Sequence, residues 1–227
     1  MQQVKKERAR SMNIGVIGAG NVGVNLARFW VKNGHQVMLS FSRQESSLRE
    51  AAASLGENCR TGSPRDAVAF GDIVVLAVPW SVVPQAIEAA GSLSGKTIFS
   101  TVNALNSDLS GLAVGTTTSA AEEIARLSPG AKVIEALPPF AELLAAGVVS
   151  VAGEKNTVFC CGDDATGKKI VSGLLAETGA EVIDAGSLSQ ARFIEPAMML
   201  LVRLAYAQGF GGRIAFRFLR QRDEAAA

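Results

Sequence analysis

The 227-residue chain predicts an α/β fold, a doubly wound and mainly parallel sheet covered by helices on both faces, with a smaller C-terminal helical extension. Three observations carry that expectation. Hydrophobic residues make up 48% of the chain and aromatic residues only 6%, so the core has to be assembled from Ala, Val, Leu and Ile, as buried parallel strands are. The stretch Asp72 to Trp80 is an almost unbroken apolar run ended by Pro79, which reads as a central strand buried on both faces. Finally, an apolar run at Ile14, Val16 and Ile17 stops at a glycine cluster that opens into helical spacing at Val22, Leu26, Phe29 and Trp30, giving strand, tight turn and helix in succession.

Residues 1–11 read as a solvated tail, since the basic stretch Lys5-Lys6-Glu7-Arg8-Ala9-Arg10 lacks the apolar core of a secretory signal. The glycine cluster Gly18-Ala19-Gly20-Asn21-Val22-Gly23 has the spacing G-x-G-x-x-G. The three glycines serve different physical ends, with Gly18 making the turn, Gly20 allowing close approach of a pyrophosphate and Gly23 letting helix pack on strand. Placed between a first strand and a first helix, the pattern predicts a Rossmann-type dinucleotide site, with the helix N-terminus facing the anion.

After the first helix, Lys32-Asn33-Gly34-His35 reads as a helix end and surface turn, and Gln36 to Ser40 as the second strand. About 20 residues beyond the glycines, an NAD site places a carboxylate on the ribose. Here Ser42 and Arg43 come first, a hydroxyl and a guanidinium suited to a 2′-phosphate, so the cofactor is read as NADP(H). Glu45 taking the ribose of NAD is the competing reading. Helices follow from Ser46 to Leu55 and from Ser63-Pro64, the latter with a capping serine and a proline at the first position.

Ligands in such sheets lie beyond the carboxyl ends of the strands, which places Val78, Pro79 and Trp80 against the cofactor, with Trp80 equally readable as a core aromatic. The helix Val82 to Ala90 and the strand Lys96 to Ser100 lead to Asn103, whose amide suits the nicotinamide carboxamide or a simple turn. A helix from Ser119 to Leu127 and a strand from Lys132 to Ala136 lead to Leu137-Pro138-Pro139-Phe140, again on the cofactor side. The expected organisation is a nucleotide-binding domain over 12–137 and an α/β subdomain over 138–227. The latter has strands Thr157 to Cys161 and Glu181 to Asp184, a helix Ala165 to Thr178, and a long helix from about Ser187 to Gln208. A short amphipathic tail, Ile214 to Leu219, ends it. The bend expected at Glu195-Pro196 would shape the second pocket.

Several function classes are disfavoured. With 22 basic and 21 acidic residues the net charge is +1, no attraction for nucleic acid or an anionic membrane. No run of about 18 apolar residues indicates a membrane span. Cys59, Cys160 and Cys161 form no C-x-x-C, and one histidine is a poor start for a metal site; free thiols and a cytoplasmic location are expected. Gly162 to Lys169 imitates a phosphate loop, but Lys169 stands where magnesium needs a hydroxyl and Asp163 and Asp164 would face the phosphates. Both aspartates read as acids at a helix N-terminus.

The combination of Gly18 to Gly23, Ser42-Arg43, Asp72 to Trp80, Ser119-Ala120-Ala121-Glu122, Cys161-Gly162-Asp163-Asp164 and Asp184 to Arg192 resembles the coenzyme F420-dependent NADP oxidoreductases over most of residues 13–220. The resemblance implies that NADP(H) lies over Gly18, Ala19, Gly20, Asn21, Val22 and Gly23, and that Ser42 and Arg43 hold its 2′-phosphate. It also implies that a deazaflavin, coenzyme F420, stacks near Val78 and Pro79 for direct hydride transfer. The family pattern has a threonine in the glycine turn where this chain has Ala19, and a histidine near the deazaflavin where it has Leu137-Pro138-Pro139. Hydride passage between two rings needs alignment and a dry slot rather than a strong acid or base, and no catalytic side chain or metal is expected. Tyr206 reads as a packing residue. The alternatives are a small imine or β-hydroxyacid reductase and a non-enzymatic NADP(H) sensor. The apolar succession Met198 to Val202 exceeds what one helix face can bury, so a homodimer is expected, with a small-molecule carrier as the other partner.

Overall fold

The computed structural model describes residues 11–42, 44–147 and 150–221. The glycine-rich opening forms β1 (Asn13–Ile17) and α1 (Asn21–Lys32), followed by β2 (Gln36–Ser40), α2 (Glu45–Leu55), β3 (Cys59–Thr61) and α3 (Pro64–Phe70). Next come β4 (Ile73–Leu76), α4 (Val83–Ala90), β5 (Thr97–Ser100), α5 (Ala120–Leu127), β6 (Lys132–Ala136) and α6 (Ala141–Ala145). A small hairpin, β7 (Ser150–Val151) and β8 (Glu154–Lys155), precedes β9 (Thr157–Gly162), α7 (Ala165–Ala176), β10 (Glu181–Gly186) and α8 (Ala191–Val202).

The main sheet has eight strands in the order β10-β9-β6-β5-β4-β1-β2-β3. Every pairing in it is parallel except β6 with β9, where Glu135 lies opposite Cys161. Because the chain leaves β1 for β2 on one side and returns to β4 on the other, the order reverses at β1, the point where such sheets open a crevice for ligands. The sheet is continuous across residues 137 and 138, since β9 and β10 extend it past β6.

Both faces are covered. One face buries Leu26, Ala27 and Trp30 of α1, Leu48 and Ala52 of α2, and Val171, Leu174 and Leu175 of α7. The other buries Val68 of α3, Ala86 and Ile87 of α4, Ile124 of α5 and Ile194 of α8. The strand alternation accounts for Cys160 facing the first layer and Cys161 the second. All three cysteines are free, and burial pushes the thiols of Cys59 and Cys160 up to about 11. Trp30 ties the halves together, its indole N–H donating to the Leu174 carbonyl at 3.0 Å.

Local chemistry sets several boundaries as expected. Ser63 and Asp66 form a reciprocal cap at α3, with Pro64 in its first turn, and the Ser119 hydroxyl accepts from the Glu122 N–H at α5. Other expectations need correction. His35 does not sit on a surface turn. It is 2% exposed, its Nδ1 accepts from the Met12 N–H at 3.1 Å, and its Nε2, which must then carry the proton, donates to Glu177 at 2.8 Å. The histidine thus buttresses the sheet against the end of α7, a role that its position after Gly34 gives no hint of. The strand expected over 72–80 ends at Leu76, and Trp80–Val82 form a 3-10 turn. Strand β3, with only three residues and partial burial, is too short to show alternation. Pro196 lies inside α8 without ending it, and the helix passes at Arg203–Ala207 into a π turn.

Residues 214–219 form no helix. They run extended beside β9: the Thr157 N–H donates to the Phe216 carbonyl at 2.9 Å, and the Phe218 N–H to the Thr157 hydroxyl at 3.0 Å. Arg217 is paired with Glu154 and Glu181, and Phe218 meets Phe159 edge to face at 6.3 Å. The segment's alternating side chains satisfy a strand-like contact as readily as a helical one.

Candidate functional site

The carboxyl ends of β1, β2 and β4 converge on the glycine turn. The Gly18 N–H donates to the Ser40 carbonyl at 2.9 Å and the Ala19 N–H to the Phe41 carbonyl at 3.3 Å, pinning the turn to the end of β2. Gly18 has φ +115°, and a Cβ there would overlap the Ala77 carbonyl at the end of β4. A Cβ at Gly23 would overlap the Gly18 carbonyl and press on Val16. These two glycines are therefore required by the protein's own packing.

Gly20 is different. Its backbone, φ −88° and ψ −171°, suits any residue, and a Cβ there would meet no atom of the described residues within 4 Å. None of the described residues demands glycine at this point, whereas a pyrophosphate laid across the turn would. Gly20 is also the N-cap of α1, which has no side-chain cap and no acid in its first turn, so the positive end of the helix stays free for an anion. Asn21 is exposed, and Ala19 and Val22 are half-buried. A dinucleotide phosphate fits the cradle that results.

Phe41, just past β2, adopts φ +58°, a conformation that bulky side chains rarely hold without a local reason. It turns the chain out of the sheet so that Ser42 is exposed, with its Oγ accepting from the Gln44 N–H at 3.3 Å. Arg43 lies outside the described residues. Glu45, the carboxylate that would suit an unphosphorylated ribose, instead accepts from Arg49 at 2.6 Å along α2. Sequence reasoning misses Phe41, since an aromatic after a strand carries no signal for a left-handed backbone.

Further along the rim, Val78 is buried, Pro79 is exposed and Trp80 half-buried against the α4 side of the core, so Trp80 is both packing residue and rim residue. Asn103, half-buried, donates its Nδ2 to the main-chain carbonyl of Glu195 at 3.2 Å. Its Oδ1 is buried with no donor among the described residues. Leu137, only 5% exposed, is not open at the rim. With Pro138, Pro139, Phe140, Met198 and the segment around Phe216 it encloses a void of only about 10 Å³.

The phosphate-loop imitation is closed on itself. Asp164 caps α7, accepting from the Gly167 N–H at 2.7 Å and pairing with Lys132. Lys168 is held by Asp184. Asp163 is not a cap for α7 but accepts from the Leu188 N–H at 3.1 Å. A cleft of about 710 Å³ lined by Asn13, His35, Asp72, Lys169 and Glu177 lies at the amino ends of β1 and β4, the wrong end of a doubly wound sheet for the nucleotide. No group of His, Cys, Asp and Glu among the described residues could hold a metal ion.

Tyr206 is half-exposed rather than packed in the core. Its hydroxyl donates to Glu142 at 2.9 Å, and partial burial together with that carboxylate pushes it up to about 12.

Residues 13–104 match the model of a family described as NADP oxidoreductase, coenzyme F420-dependent. The match covers the first part of the chain, from β1 to just past β5, and is a similarity to that family. A structure assigned as an F420-dependent NADP-reductase of Arthrobacter sp. FB24 superposes with a TM-score of 0.81 at 28% identity, covering 92% of this chain and 100% of that one. A hypothetical protein of Sinorhizobium meliloti superposes with a TM-score of 0.70 at 22% identity, over 93% and 97% of the two chains. A reductive aminase of Aspergillus terreus solved with NADPH shares the fold, with a TM-score of 0.64 at 18% identity over 88% of this chain and 64% of that chain. The matched family and the Arthrobacter structure are both described as NADP-dependent oxidoreductases. Among the described residues no helix is long and apolar enough to cross a membrane.

Proposed function

We propose that the protein exchanges hydride between NADP(H) and a planar, flavin-like carrier, the deazaflavin coenzyme F420. The observation that carries this reading is a nucleotide rim on which the side chains of Glu195, Tyr206 and Thr101 are already committed, while the unpaired acid behind it, Glu135, is sealed from the surface. Glu195 accepts from two backbone N–H groups, Tyr206 is bonded to Glu142, the Thr101 hydroxyl donates to the Leu76 carbonyl, and His35 lies at the far end of the sheet. A reductase of carbonyls or imines needs a positioned proton donor; transfer between two ring cofactors does not.

In this reading the bound pair supplies the chemistry, a hydride passing from the dihydronicotinamide to the deazaflavin with a proton drawn from solvent, or the reverse. The chain's own residues bind and align. The N–H groups at the start of α1 and the bare Gly20 hold the pyrophosphate. Ser42 and Arg43 hold the 2′-phosphate, while Glu45, turned to Arg49, leaves the phosphate unopposed. Ala19, Asn21, Val22, Val78, Pro79 and Trp80 line the nucleotide. Asn103 has Nδ2 engaged and Oδ1 unpaired but covered, so Oδ1 accepts from the carboxamide NH2 only once the groups over it shift. Leu137 lies below the acceptor's side, and the Ile214 to Leu219 segment over it has to lift before a second ring can stack.

A homodimer belongs to the same proposal: Phe193 and Leu200, one face of α8, are 69% and 56% exposed, and the mass in solution tests it. The catalytic reading is tested by mixing protein, NADPH and oxidised deazaflavin and following nicotinamide absorbance, with a cyclic imine in parallel. Oxidation with the deazaflavin alone is expected. Oxidation with the imine alone, or tight NADPH binding with no turnover, overturns it in favour of an imine reductase or a sensor.

A further inference from the structure

Behind the rim lies a pair of buried acids that the proposed chemistry does not use. Glu135 points from β6 into the layer between the sheet and α5 and is 0% exposed. Neither of its carboxyl oxygens has a donor among the described residues. Facing it is Glu195 of α8, 1% exposed, whose Oε2 accepts from the Ala120 N–H at 3.0 Å and whose Oε1 accepts from the Ala121 N–H at 3.2 Å. The two carboxyl groups are close enough to act on each other's protonation, and two neighbouring carboxylates sealed from water are not both ionised.

We propose that Glu135 and Glu195 hold a single proton between them, carried by Glu135, and that this pair is the positioning device that clamps α8 to the rim and sets Asn103. The proton belongs on Glu135 because Glu195 alone has amide donors and the positive end of α5 to support a charge. Burial first, and then the Glu195 charge, hold the Glu135 carboxyl well above the ordinary carboxylate range. The other ionisable groups nearby do not relieve it. Glu122 on α5 is bound by Arg192 of α8 at 2.7 and 2.8 Å, and the Cys161 thiol on β9 is itself raised by burial and by Glu135. Main chain and side chain of Glu195 therefore act together: the carboxylate docks α8 on the first turn of α5, and the carbonyl takes Asn103 Nδ2, leaving Oδ1 unpaired but covered, the atom a carboxamide NH2 meets once the groups over it shift. This last link rests on the proposed nucleotide site.

The pH dependence has a definite sign. A carboxyl raised in the folded state contributes its stability in full below its unfolded value, about 4.3 for Glu, and loses it as pH rises toward the folded value. Glu135→Gln puts an N–H donor where the proton was and removes that dependence. Its melting temperature should fall less than the wild type's between about pH 5 and pH 9. At neutral pH the wild type should show the infrared carbonyl band of a protonated carboxylic acid, and Glu135→Gln should lack it. An absent wild-type band, or the same pH slope in both proteins, overturns the shared proton whatever other variants do. The positioning claim is read by calorimetry with NADPH and with 2′-phospho-ADP-ribose, which lacks the nicotinamide. Glu195→Gln, which leaves one N–H of α5 without an acceptor, should weaken NADPH about tenfold, the loss of one hydrogen bond near a charged group, and 2′-phospho-ADP-ribose less than about twofold. Equal losses for both ligands, or none, overturn it. If the wild type binds neither ligand, the nucleotide reading fails, while the infrared result still decides the proton.

Discussion

Helices α1 and α5 present their positive ends to the same rim, and they meet the electrostatic demand in opposite ways. The start of α1 is bare, with a glycine N-cap, no acid in the first turn and open space where a Cβ would go. The start of α5 is filled from within, by the Ser119 hydroxyl and by the Glu195 carboxylate brought from 75 residues away. One end is left open to an anion, and the other has been given a permanent one. A helix terminus is thus a site only where the protein has declined to satisfy it.

Filling the open end should have the greatest consequence. Gly20→Val should abolish binding of NADPH and NADH in calorimetric titration while leaving thermal unfolding nearly unchanged, because a Cβ there meets no atom of the described residues. Gly18→Ala should do the reverse, unfolding at lower temperature, since positive φ and a backbone overlap cost about 1–3 kcal/mol or more. If both variants lose stability alike, Gly20 is as structural as Gly18 and the turn is no cradle for a ligand.

Next in size is the choice of nucleotide. Arg43→Glu should weaken NADPH far more than NADH, by roughly 1.5–3 kcal/mol for a lost charge-assisted contact; equal weakening of both would move the 2′-phosphate elsewhere. A lesser change is expected where the acceptor's side is covered. Arg217→Glu breaks the pairing to Glu154 and Glu181, which as a partly exposed network contributes no more than about 1 kcal/mol. The Thr157 N–H should exchange with solvent faster, and the KM for the deazaflavin should drop while NADPH affinity holds. Unchanged exchange would show that the segment is held by Phe216 and Phe218 instead.

The slightest change belongs to the filled end. The hydrogen bonds from Arg192, above all, hold the Glu122 carboxyl below its ordinary range. Its contribution is therefore present above the unfolded pKa and lost as pH falls through the folded one, the opposite sign to Glu135. Arg192→Leu should flatten the acid side of the stability profile and leave the alkaline side alone. A change on the alkaline side would mean that Arg192 also governs the buried pair.

How far these regions are legible in advance follows the same division. The glycine turn, the caps at Ser63 and Ser119 and the central strand around Val74 and Val75 are local: each is a pattern over a few residues whose physical need is met by neighbours in the chain. Glu135 and Glu195 show no such pattern. Glu135 looks like an ordinary charge on a strand and Glu195 draws notice only through the bend expected at Pro196, and only the placement of α8 against the layer under α5 brings the two together. His35 reads as a turn residue for the same reason, since its partners Met12 and Glu177 are 23 and 142 positions away.

Composition, periodicity and turn chemistry were enough to determine the doubly wound sheet, the glycine turn at the carboxyl end of its first strand and the helix end left open there, because backbone geometry and apolar alternation act over a turn or a strand. Tertiary structure alone decided that strand β9 runs against β6, that the last segment lies over Leu137, and that two acids are sealed together behind Asn103. Burial of a charge, unlike burial of a leucine, depends on which distant group comes to share it.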